Sequence, residues 1–109
     1  MEVGCYWYNY ATSVSEAKLE AKAFLNVING KKFSFPCYYD VEESKVLNSC
    51  TKATLTSMVN AWCSMVESNG YTAGLYTFDS AVNYFNQEEI KYEKWLAKWS
   101  SNMGRNTSE

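Results

Sequence analysis

Apolar and polar positions along the chain alternate between strand-like runs and helix-like stripes. Val3-Gly4-Cys5-Tyr6-Trp7-Tyr8 is continuously apolar and aromatic, which predicts a strand buried on both faces. Ser13 then opens a helix, with Glu16 three residues on as its capping-box partner. Ala17, Ala21, Phe24, Leu25 and Ile28 recur at helical spacing, and Asn29-Gly30 closes the element. After a loop from Lys31 to Ser34, the run Phe35-Pro36-Cys37-Tyr38-Tyr39-Asp40-Val41-Glu42 reads as a second strand. A second helix is expected from Thr51 or Lys52 to Asn69, with Leu55, Met58, Val59, Trp62 and Val66 inward and Gly70 as its stop. Tyr71 to Thr77 predicts a third strand, Ser80 to Phe85 a short helical turn, and Tyr92 to Trp99 a last strand.

The order strand–helix–strand–helix–strand–turn–strand predicts an α/β fold with a mostly parallel sheet. In such folds, sites collect at the C-terminal ends of the strands. Asp40 and Glu42 lie at one such end, Tyr8 and Asn9, Tyr76 and Thr77, and Trp99 at others. No Gly-rich phosphate loop follows any strand, which removes the main support for a nucleotide-binding sheet.

Composition narrows the chemistry. The 109 residues suit one domain, and 47% hydrophobic residues allow a real core. A net charge of −2 without a basic run argues against nucleic acid or an anionic membrane as partner. No stretch approaches the roughly 20 apolar residues that span a bilayer. The start Met1-Glu2-Val3-Gly4 carries neither the basic nor the apolar region of a signal peptide. The chain has no histidine, so Ser-His and Cys-His nucleophiles and His-ligated zinc are excluded. Cys5, Cys37, Cys50 and Cys63 follow no metal-binding spacing and read as reduced core residues.

Acid–base work therefore falls to carboxylates. On a strand, Asp40 and Glu42 share one face with Cα atoms about 6.6 Å apart, and Tyr38 shares it too. Two acids beside an aromatic ring are the equipment of glycoside hydrolysis. Glu42 is the candidate general acid, its pKa to be raised by partial burial and by the charge of Asp40. Tyr6, Tyr8, Tyr38, Tyr76 and Trp99 are candidate sugar platforms. The same residues also fit blander roles, the acids as a solvated strand end and the aromatics as core. Trp62, on a helix stripe, reads as packing.

These segments resemble, in order, the glycoside hydrolase family 25 lysozymes (N-acetylmuramidases), which also occur among phage endolysins. Gly4-Cys5-Tyr6-Trp7-Tyr8 is similar to the family's G-x-Y-x-Y/F strand, followed by a helix with Glu16-Ala17 and Glu20-Ala21. The Pro36 to Glu42 segment is similar to its P-x-x-x-D-x-E strand. Gly70-Tyr71-Thr72-Ala73-Gly74-Leu75-Tyr76 and Trp95-Leu96-Ala97-Lys98-Trp99 resemble two later strands.

The resemblance implies a partial TIM-like β/α barrel over residues 3–100, followed by a polar tail at 101–109. Family members carry further strands at both ends, with an aspartate near the start and an acidic residue near the finish, in an eight-stranded barrel of about 250 residues or fewer. Self-association through exposed sheet edges would relieve a partial barrel. It further implies cleavage of the bond between N-acetylmuramic acid and N-acetylglucosamine in bacterial cell-wall peptidoglycan, without metal or cofactor. Asp40 would stabilise charge at the anomeric carbon, with the substrate's N-acetyl group as internal nucleophile. The rivals are an inactive truncated barrel that at most binds glycan, and a flavodoxin-like domain whose acids hold Mg²⁺.

Overall fold

A computed structural model of the chain describes residues 5–31 and 36–97. Strand β1 (Cys5–Tyr8) leads into helix α1 (Val14–Val27) and strand β2 (Cys37–Asp40). Helices α2 (Ser44–Ser49) and α3 (Lys52–Ser68) follow, then strand β3 (Ala73–Phe78), two 3₁₀ turns (Asp79–Tyr84 and Gln87–Glu89) and strand β4 (Glu93–Ala97). The strands form one sheet in the order β1-β2-β3-β4, every neighbour parallel. This is the expected α/β architecture, consistent with part of a β/α barrel.

Local chemistry sets the helix ends. Ser13 Oγ accepts the Glu16 N–H at 3.2 Å. The Glu16 carboxylate reaches one residue further back than a capping box requires, accepting the Thr12 N–H at 2.9 Å. At α3, Thr51 Oγ1 accepts the Thr54 N–H at 3.1 Å. Gly70 ends that helix at φ +95°, donating to the Glu67 carbonyl at 3.0 Å. A side chain there would be strained, so the glycine is a requirement of the turn.

One face of the sheet is sealed by helices. Cys37, Tyr39, Val41, Leu75 and Thr77 are fully buried, as are Leu55, Met58, Val59, Trp62 and Val66 of the predicted stripe. Trp62 stacks on Tyr39 at 4.7 Å and meets Phe24 at 5.0 Å, tying α3 to both β2 and α1. Each such large side chain contributes about 1.5–3 kcal/mol by leaving water. Trp62 is packing, as its stripe indicated.

Several boundaries moved. The second strand stops at Asp40, so Glu42 lies beyond it and strand alternation does not place it. The third strand is shifted to Ala73–Phe78. Helix α2 was not foreseen, because its six residues contribute only Val46 and Leu47 to the core and show no period. β1 is not buried on both faces: among the described strands it is at the edge of the sheet, and Tyr6 is 64% exposed. Trp99, Phe35, Val3 and the 101–109 tail lie outside the described residues. No helix among the described residues is long and apolar enough to cross a membrane.

Candidate active site

The face opposite the helices carries the polar chemistry. Parallel register aligns Tyr8, Asp40, Tyr76 and Trp95 as one row across the four strands. A second row, toward the strand starts, is Tyr6, Tyr38, Gly74 and Glu93. Alternation puts both rows on one face, because their members are two residues apart on each strand. The site is therefore an aromatic floor with two carboxylates in it, Asp40 in the first row and Glu93 in the second.

Asp40 is 6% exposed, and among the described residues no donor reaches its Oδ1. Burial first, then the charge of Glu42 and a hydrogen bond with its side chain, push the Asp40 carboxyl up from 3.8 to about 8. The two acids thus meet, although Glu42 is past the strand end. Sequence reasoning sought the raised acid at Glu42 with Asp40 as its neighbouring charge; burial acts on Asp40. With its carboxyl raised to about 8, Asp40 keeps its proton around neutral pH.

Tyrosines ring the pair. Tyr8 Oη donates to Glu43 Oε1 at 3.1 Å. Burial, that hydrogen bond, and the charges of Glu43, Glu42 and Asp40 push the Tyr8 phenol up to about 12, so it stays a donor. Tyr76 is raised by burial and then by Glu42 and Asp40. Tyr38, largely buried, donates to Glu93 Oε2 at 3.1 Å, and its phenol is raised to about 12, chiefly by burial. Its ring lies 3.0 Å from where a Cβ on Gly74 would stand, so the absent side chain makes room for it.

Of the predicted site residues, the structure brings together Asp40, Glu42, Tyr8, Tyr38 and Tyr76. Tyr6 shares the face at 64% exposure and lies near enough to act on the Tyr76 phenol. Trp95 was missed as a site residue. It is 54% exposed, its ring 5.4 Å from that of Tyr38 and 5.3 Å from that of Tyr76. Only the β3–β4 register, which spacing does not reveal, puts it in line with Asp40. Glu43 joins the site through its bond to Tyr8, which needed the fold. Among the described residues no group of three or more His, Cys, Asp or Glu could hold a metal ion. Cys5, Cys37, Cys50 and Cys63 are free thiols.

Comparison with known proteins agrees with this architecture. The modular autolysin LytC from Streptococcus pneumoniae shares 26% identity over 72% of this chain and 20% of its own, with a TM-score of 0.62. The same autolysin in complex with a synthetic peptidoglycan ligand aligns over 93% of this chain and 26% of its own, at 22% identity and a TM-score of 0.69. The second likeness, at that identity, speaks for the fold. The chain spans about a fifth to a quarter of the length of those structures. No curated protein sequence matches it significantly. The family model for glycosyl hydrolases family 25 matches residues 1–108, taking in the strands that carry the acid pair and its aromatic floor. The chain belongs to glycosyl hydrolase family 25.

Proposed function

We propose that this chain carries the acid pair of a peptidoglycan muramidase, hydrolysing the β-1,4 bond between N-acetylmuramic acid and N-acetylglucosamine. The observation that carries the reading is the buried Asp40 carboxyl beside Glu42, on an open aromatic face, in a chain of this family. The related autolysin's complex with a peptidoglycan ligand supports glycan as the occupant of that face.

The proton that burial keeps on Asp40 passes through Glu42, the less buried partner, to the glycosidic oxygen. The C1–O bond breaks with its electron pair going to that oxygen. Asp40, left ionised, faces the positive charge that develops at C1 and orients the substrate's N-acetyl oxygen for attack there; water then releases the sugar. Tyr8 offers its hydroxyl at the edge of the pair, and Tyr38, Tyr76 and Trp95 present ring faces to the apolar C–H faces of the sugars.

The test is clearing of a bacterial cell-wall suspension by the chain and by Glu42→Gln. The wild type clears the suspension and the variant slows clearing by at least about a hundredfold, the usual weight of a positioned general acid. Overlapping curves remove Glu42 from the role. A second reading, glycan binding without turnover, rests on the aromatic floor, whose rings can hold a sugar whether or not a proton is delivered. Wall pull-down without clearing would select it.

A further inference from the structure

Glu20 lies on α1, away from the acids, yet it is tied to β2, which carries Asp40, and to the loop after β1. Its Oε1 accepts from Tyr39 Oη at 2.5 Å and from Asn9 Nδ2 at 3.1 Å. Its Oε2 accepts the backbone N–H groups of Tyr10 at 2.9 Å and Ala11 at 3.1 Å. Asn9, fully buried, also donates to Tyr39 Oη at 2.7 Å, and its own N–H donates to the Asp40 carbonyl at 2.9 Å. One carboxylate thus gathers the loop after β1 and the ring next to Asp40 on β2. Tyr8 immediately precedes that loop and reaches Glu43 across the mouth.

We propose that Glu20 is the positioning residue of the acid pair, a strut that holds the ends of β1 and β2, and with them Tyr8 and Asp40, in fixed relation. The chemistry requires a carboxylate. All four donors point at its two oxygens, so an amide at this position would set its NH₂ against N–H or O–H donors whichever way it turned. Charge-assisted bonds to backbone N–H groups are also the stronger kind. For its effect on hydrolysis the proposal rests on the muramidase reading; for its effect on the acids it does not.

The test substitutes Glu20→Gln and, separately, Tyr39→Phe, which removes one donor and leaves the loop bonds in place. The titratable groups facing Asp40 are Glu42, Tyr8 from β1 and Tyr76 from β3, and neither substitution touches them. Carbon-13 NMR of labelled carboxyls follows the Asp40 midpoint, circular dichroism reports folding, and wall clearing reports rate. In the folded Glu20→Gln protein the midpoint falls by at least about one pH unit, a tenfold change in the protonation equilibrium. Clearing slows in kcat while KM holds. Tyr39→Phe moves both in the same direction by less, and decides the matter if Glu20→Gln does not fold.

A folded variant with the wild-type midpoint overturns the proposal and leaves Glu20 as a brace of the fold alone. So does a wild-type midpoint in the ordinary carboxylate range, since no held geometry would then exist to lose. A wild type that never clears cell walls removes the muramidase reading, and the midpoints still decide for or against Glu20.

Discussion

Asp40→Asn separates the cost of burying an acid from its use. The substitution keeps the shape of the side chain and removes its ability to ionise. In the folded chain, burial and then Glu42 raise the Asp40 carboxyl from 3.8 to about 8. Unfolded, it ionises near its ordinary value. Between those two values the folded state keeps a proton that the unfolded state has released. Wild-type stability is therefore full below about pH 4 and declines as the pH climbs toward 8. Each unit is worth about 1.4 kcal/mol, so the roughly three units up to neutrality set a ceiling near 4 kcal/mol. The mouth is open to water, so about 2 kcal/mol is the working figure after screening. At this chain length that corresponds to roughly 10 °C in Tm. Thermal melts by circular dichroism, taken at intervals from pH 4.5 to 8.5, check it. The two proteins should melt together at the acid end and diverge with rising pH, the Asn variant becoming the more stable while losing wall clearing. Parallel lines across the whole range would refute the idea that the Asp40 carboxyl is buried against a second acid.

Two further outcomes follow from the same floor. Trp95→Ala, at a side chain more than half exposed, should leave Tm within about 2 °C yet raise KM for cell walls about fivefold with kcat unchanged, the loss of about 1 kcal/mol of ring contact. Initial rates against wall concentration would read this, and an unchanged KM removes Trp95 from the groove. Gly74→Ala would place a methyl 2.6 Å from the Glu93 carbonyl oxygen and 3.0 Å from the Tyr38 ring, so β4 must shift. The expected loss is about 1–3 kcal/mol in denaturant melts, and a wild-type midpoint would mean that β3 and β4 are less closely apposed.

The chain's own pattern was sufficient for the two long helices and for the order of strands, because those depend on local periodicity and on caps such as Ser13, Thr51 and Gly70. It also singled out Asp40, Tyr8, Tyr38 and Tyr76, since strand parity and strand ends are written in the spacing. Glu42 was found by its nearness to Asp40 and not by parity, because it lies past the strand. It did not reveal α2, whose two apolar residues are too few to set a period.

Which of two neighbouring tyrosines packs and which faces the cleft was settled by the sheet: Tyr39 is sealed under Trp62, while Tyr38 covers Gly74. The alignment of Trp95 with Asp40, the unequal burial of the two acids, and the gathering of Asn9, Tyr39 and the loop by Glu20 were likewise decided in three dimensions. The reason is physical. Periodicity records which side of its own element a residue takes, a property of a few consecutive bonds. Register between strands, and the degree to which a carboxyl is shut away from water, are set by segments tens of residues apart, and only packing brings those together.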